Sequence, residues 1–225
     1  MRILSTIILL CREKVVTLHA KLKTKIEGKM KETKLTMEQI ETIITGYPDS
    51  PYYIRQNIVV PNVAWGFLNH EADLLVLSKV HRLTEIEIKR TWADFMADFK
   101  KKHTHDDSKL SYFYYAVPHS IGERVFNWLY EGQYKCSKSW IYYDRSEVTG
   151  YTEHNPNKCG LIIYAGEDEV PCRGNRVGSC CINVGPHRMN DYQLSTDEEL
   201  KLLRLLGMRV WNLKKKIAEY QCKQK

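Results

Sequence analysis

The sequence predicts an α/β domain, with a mixed central sheet flanked by helices and a long helix at the C-terminal end. Three observations predict it. A capped helix is followed by three strand-like runs between Tyr52 and Lys89, separated by short breaks. An aromatic repeat at helical spacing then leads to a further strand, as a crossover between parallel strands requires. The final stretch carries apolar residues three and four apart, the spacing of one helix face.

Taken in order, Thr36 and Gln39 have the spacing of a capping box, which satisfies free N–H groups at a helix start. Met37, Ile40, Ile43 and Ile44 give that helix an apolar face, and Gly46 with Pro48 ends it. Tyr52 to Val63 is predicted as a strand from its β-branched and aromatic content. Glu71 to Lys79 and Leu83 to Lys89 are predicted as two more. Trp92, Phe95, Met96 and Phe99 repeat at helical spacing ahead of Lys100, Lys101, Lys102 and His103. Ser111 to Val117 reads as a strand closed by Pro118, and Ile121 to Tyr130 as a helix. Gly160 to Ala165 and Cys180 to Val184 read as short strands. The stretches 131–158 and 166–194 are otherwise expected to be surface loops. Ser195 and Glu198 form a second capping box. Leu203, Leu206, Val210, Leu213 and Ile217 then make one seam, expected to pack on the sheet, with Lys201, Arg204, Lys214 and Lys215 off it.

At 225 residues the chain is long enough for one domain with a real core. A net charge of +7 is compatible with a polyanionic partner without requiring one. The seven cysteines contain no CxxC pair and read as reduced thiols of a cytoplasmic protein. The apolar run Ile3 to Leu10 is too short to span a membrane and lacks the small residues of a cleavage site. Lys21 to Lys34 is rich in lysine and poor in large apolar residues. Residues 1–34 are therefore expected to be a basic helical or flexible leader, and 35–220 the domain.

The informative region is Glu71 to Lys89. A hairpin turning at Val80 puts Asp73 opposite Glu87 and Glu71 opposite Lys89. Alternation then sets Glu71, Asp73, Leu75, Glu85, Glu87 and Lys89 on one face. Ala72, Leu74, Val76, Ile86 and Ile88 form the other, apolar face. A slip of one residue would exchange the faces, so the pattern fixes the register. Opposed carboxylates repel on an ordinary sheet, whereas a hard divalent cation such as Mg²⁺ reverses the sign. A lysine on the same face completes what metal-assisted phosphodiester hydrolysis needs. Asp94 and Asp98, one helical turn apart, read as solvated residues pairing with Lys101 and Lys102; the alternative is that they orient Lys89. Lys100, Lys101, Lys102 and His103 suit a phosphate backbone, and equally a helix end where cations favour the dipole.

With Asp73 as a first acidic position and Glu87-Ile88-Lys89 as a (D/E)XK tripeptide, the sequence resembles the PD-(D/E)XK, or restriction-endonuclease-like, nuclease superfamily. Within it the chain looks most like the MmcB-like DNA-repair group. That resemblance runs through Glu71-Ala-Asp73, Glu87 to Phe95, Tyr114 to Pro118 and Gly160 to Ile163, and covers roughly residues 36–215. The family's proline is absent, since Ala72 precedes Asp73. The resemblance implies an αβββαβ core over 36 to 117. It implies Mg²⁺ or Mn²⁺ held by Asp73, Glu87 and the backbone carbonyl of Ile88, with Lys89 orienting the attacking water. A glutamate of the first helix, Glu41 or Glu38, joins some family sites, and Glu71 is a further acidic candidate. The expected activity is DNA phosphodiester hydrolysis in repair, recombination or a phage or mobile-element setting. The alternative is a non-catalytic nucleic-acid-binding module of the same fold.

Overall fold

The computed structural model describes residues 34–63, 66–101, 105–135, 145–169 and 176–223. Residues 1–33 of the expected leader lie outside these. Helix α1 is Met37–Thr45, followed by strands β1 (Ile58–Val63), β2 (Ala72–Leu77) and β3 (Leu83–Ile88). Helix α2 (Trp92–Asp98) leads to β4 (Leu110–Pro118) and α3 (His119–Leu129). Strands β5 (Tyr130–Gln133), β6 (Glu147–Tyr151), β7 (Gly160–Gly166) and β8 (Gly178–Val184) precede α4 (Thr196–Lys223).

Six strands form one mixed sheet in the order β1-β2-β3-β4-β7-β8, and β5 and β6 form a separate two-stranded sheet. The first three strands run as an antiparallel meander. Strand β4 then joins β3 in parallel, β7 joins β4 in parallel, and β8 closes the sheet antiparallel. The crossover from β3 to β4 is the segment carrying α2, which places α2 beside the ends of both strands. The capping box at Thr36 and Gln39 is made as the sequence predicts. So is the one at Ser195 and Glu198.

Two apolar clusters hold the sheet. Ile40, Ile43 and Ile44 of α1 pack on Leu74, Val76, Ile86 and Ile88. The opposite face packs Leu75, Leu77 and Leu83 against Leu194 and Leu202. Ala72, expected with the first cluster, belongs to the second. The cause lies in β1, where Asn62 takes a left-handed backbone at φ 52°. Asparagine tolerates that conformation because its short polar side chain can bond locally. Pro61 faces Leu74 and Val63 faces Ala72, so Asn62 stands beside Asp73.

Three expectations are corrected. The strand expected from Tyr52 begins only at Ile58. Tyr52 and Ile54 instead donate backbone N–H groups to the carbonyls of Ile44 and Thr45, wrapping the chain around the end of α1. The stretch 131–158 contains the β5–β6 hairpin rather than only loop. The seam along α4 is not covered by the sheet: Leu203, Val210, Leu213 and Ile217 are exposed, and burial is confined to Leu202, with Leu205 and Leu206 partly covered. Length explains this. A helix of 28 residues is about 42 Å long, and the six-residue edge strand β1 about 20 Å. Among the described residues no helix is long and apolar enough to cross a membrane.

Candidate active site

The β2–β3 hairpin has the register the sequence predicts. Leu74 pairs with Ile86, Leu75 with Glu85 and Leu77 with Leu83. One further step sets Asp73 across from Glu87. There Asp73 Oδ2 accepts from the backbone N–H of Ile88 at 2.8 Å, while the Ile88 side chain lies in the core. The neighbouring strand carries the same face onward, because Glu85 pairs with Phe113 and Glu87 with Tyr115. Asp73, Glu85, Glu87 and Tyr115 thus share one face, in the part of it that α4 does not cover.

Lys89 is 3% exposed, and its Nζ donates to Glu87 Oε1 at 2.7 Å and to Asp98 Oδ1 at 2.8 Å. Burial works against its charge, yet Glu87 and Asp98 hold its pKa above the ordinary lysine range. Asp98 is the second hub. Its carboxylate also accepts from Tyr115 Oη at 2.9 Å and contacts His105 Nε2 at 2.8 Å and Lys101 Nζ at 2.7 Å. Burial raises its pKa, but His105, Lys89 and Lys101 together hold it far below the usual carboxylate range. The reading of Asp98 as a solvated residue is therefore corrected. It follows Phe95 by one turn, on the buried side of α2, because the short helix aims that side at the β3–β4 surface. Asp94 is exposed, as expected, and accepts from the N–H of Arg90.

Beneath this hub lies a part of the site that the sequence reading did not assign. Glu85 is fully buried, with one oxygen 2.7 Å from His105 Nδ1 and the other 2.8 Å from His70 Nε2. Burial would raise the Glu85 pKa, and His105 and His70 lower it instead. For His105 burial opposes the charge, but Asp98 and Glu85 push the pKa up to about 10. An imidazolium with an N–H on each carboxylate fits these contacts. His105 is itself left-handed at φ 52°, a conformation held by its two carboxylate partners.

The positive groups Lys89, Lys101 and His105 offset the negative charges of Glu85, Glu87 and Asp98. Asp73 and Glu41 are left over. Burial and the charge of Glu87 raise Asp73 to about 6. Burial, Glu38 and Asp73 raise Glu41 to about 7. Glu87 Oε2 is buried with no hydrogen-bond partner. The orphaned carboxylate oxygen of Glu87 and the neighbouring Asp73, which resists ionisation, are oxygens of the kind a hard divalent cation takes. Oxygen donors of this kind suit Mg²⁺ or Mn²⁺ in their chemistry, while the described His, Asp and Glu side chains that lie close enough together to share an ion are His70, Glu85 and His105, and Glu87, Asp98 and His105.

The structure also separates the two glutamates of the first helix. Glu41 lies near Asp73 and receives a hydrogen bond from Asn62 at 3.4 Å, whereas Glu38 is exposed at the helix start. A cavity of about 300 Å³ opens over Asp73 and Glu87, lined also by Asn62, Glu71, Lys101 and Arg209. Glu71 is at its wall and exposed. Lys100 and Lys101 are both exposed, and Lys101 reaches Asp98. Lys102 and His103 lie outside the described residues.

No protein-family model and no curated protein matches the chain. A solved structure similar to it is the SPO1766 protein of unknown function from Silicibacter pomeroyi. It is 12% identical with a TM-score of 0.47, covering 84% of this chain and 96% of that one.

Proposed function

We propose that the chain is a metal-dependent nuclease of the restriction-endonuclease-like fold, hydrolysing phosphodiester bonds of DNA. The observation that carries this reading is the unpartnered, buried Glu87 Oε2 beside Asp73, on the hairpin face that also presents Lys89. The helix, three-strand meander, helix and parallel strand over residues 37–118 support it, being the αβββαβ order of that fold.

Asp73 and Glu87 hold the cation in this reading, with Glu41 at the side and the Ile88 backbone fixing Asp73. Bound Mg²⁺ or Mn²⁺ supplies polarisation of the phosphate and acidification of a water. The chain's own groups do the rest. Lys89 is held by Glu87 and Asp98, and in this reading its remaining N–H supplies the positive donor for developing negative charge. His105 and Tyr115 hold Asp98, and Asp98 holds Lys89. Lys101 and Arg209 line the cavity and set the substrate phosphate against the acidic floor.

The test is cleavage of supercoiled, linear duplex, single-stranded and branched DNA in Mg²⁺ and Mn²⁺, with EDTA and an Asp73→Ala/Lys89→Ala double variant as controls. Cleavage that needs metal and disappears in the variant is the expected result. Cleavage that persists in the variant, or none on any substrate by folded protein that binds no metal, overturns the reading.

A further inference from the structure

From Leu203 onward the apolar residues of α4 follow at alternating steps of three and four: Leu203, Leu206, Val210, Leu213, Ile217 and Tyr220. A step of seven runs through the set, which is the a and d pattern of a coiled coil. The two kinds of position differ. Val210 and Ile217, at a, are β-branched, and Leu206 and Leu213, at d, are leucine. That choice favours a pair of helices over a larger bundle. Leu206 packs partly on the apolar cluster around Leu75 and Leu202. The other five are between 41% and 64% exposed. A contiguous apolar stripe left in water marks an interaction surface.

The seam is narrow. Trp211, 71% exposed, is one residue from Val210 and two from Leu213, so it stands about 100° and 160° round the helix from them. A helix lying in a bilayer surface gathers such a ring on its apolar side, and here the ring stands off it. A strict a and d stripe is the shape that another helix fills. The flanks carry one sign of charge. Arg209, Lys214 and Lys216 occupy flanking positions, and Gly207 and Gln221 are the neutral ones. Past Leu203 the one acidic residue is Glu219, which lies off the seam and pairs with Lys215 at 3.9 Å. Flanking charges set the partner of a coiled coil. A second copy of α4, parallel or antiparallel, would bring basic flank against basic flank.

We infer that residues 203–220 of α4 dock an amphipathic helix of another protein, one with its own a and d seam and acidic flanks, as a two-stranded coiled coil. Its apolar residues cover Val210, Leu213, Ile217 and Tyr220. Its carboxylates meet Lys214 and Lys216, while Arg209 is engaged by the carbonyl of Asn62. This contact does not depend on the nuclease reading.

The test is calorimetric titration of the full chain with two synthetic four-heptad peptides. Both have valine or isoleucine at a and leucine at d; one has glutamate at every flanking position and the other lysine. The glutamate peptide is expected to bind one to one, at least about tenfold more tightly than the lysine peptide. Leu213→Asp/Ile217→Asp puts charge into the seam at exposed positions, so the fold stands and binding should be lost. Lys214→Glu/Lys216→Glu should reverse the preference between the peptides. Binding of the glutamate peptide weaker than about 100 µM overturns the inference. So does equal binding of the two peptides, or binding unchanged in either variant. Sedimentation of the chain alone as a dimer that Leu213→Asp/Ile217→Asp dissociates also overturns it, and assigns the seam to a second copy. Binding to phosphatidylglycerol vesicles that is lost in the same variant overturns it in favour of a membrane surface.

Discussion

Lys89 and Asp98 meet at 2.8 Å in the protein interior, joined by a contact that links the strand carrying the tripeptide to the helix that follows it. Asp98 is bound at the same time by His105, Tyr115 and Lys101. Asp98→Asn would leave Lys89 and His105 as under-compensated buried cations. Breaking a buried pair costs about 3–5 kcal/mol, so the melting temperature should fall by about 10 °C or more. A melting curve unchanged within about 2 °C would mean that Asp98 is solvated after all.

Asp73→Asn should do the opposite in metal-free protein. Removing one of two adjacent carboxylates relieves repulsion and should raise the melting temperature by about 2 °C in EDTA. The same change should abolish the rise that Mn²⁺ gives the unaltered protein, since a ligand that binds only the folded state stabilises it. Differential scanning fluorimetry with and without Mn²⁺ reads both effects.

The metal-free protein should be most stable near pH 5. Asp73 and Glu41 have folded pKa values of about 6 and 7, above their ordinary 3.8 and 4.5. The folded state therefore holds more protons than the unfolded chain, and stability is lost as pH rises through 6 to 7. His105, raised to about 10 from 6.5, acts in the same direction at higher pH. Glu85 and Asp98 are lowered, so the stability they contribute is lost as pH falls below their ordinary 4.5 and 3.8. Melting curves from pH 4 to 9 in EDTA should show this maximum, and saturating Mn²⁺ should shift it upward. A metal-free maximum above pH 7.5 would contradict the assigned environments of Asp73 and Glu41.

Ending the chain after Arg209 should leave the fold intact. The residues of α4 beyond that point are exposed, including Trp211 at 71%, and the last buried position is Leu202. Arg209 itself reaches the carbonyl of Asn62 and lines the acidic cavity, so the cut spares it. The truncated protein should melt within about 2 °C of the full chain, as for changes at exposed positions generally.

The hairpin was legible in the sequence because period-two alternation admits one register, and Leu74 to Ile86 confirms it. Both capping boxes were legible for the same kind of reason, since each depends on residues three apart. The roles of Glu85 and His105 were not, and for Asp98 the orienting of Lys89 stood only as the alternative to a solvated residue. Each reads as an ordinary polar residue until β4 lies beside β3 and α2 closes over them, and burial of a charge follows from that packing. One signal was present: Asp98 follows Phe95 on the same side of a short helix. The exposure of Leu203, Val210, Leu213 and Ile217 was invisible because helical periodicity carries no information about the length of the neighbouring strand. Tyr52 and Ile54 show β-propensity yielding to the hydrogen bonds that wrap the end of α1.

The backbone bond from Ile88 to Asp73 joins groups only fifteen residues apart in sequence. Loop-closure entropy grows slowly with length, so bringing these two strands together demands little of the rest of the chain. Glu85, Glu87, Lys89, Asp98, His105 and Tyr115 all come from the continuous run that forms β3, α2 and β4. The hub can therefore assemble as a local event, before β7, β8 and α4 find their places. Folding and site formation coincide in this corner, so the hub's charges are paired as soon as these three elements condense.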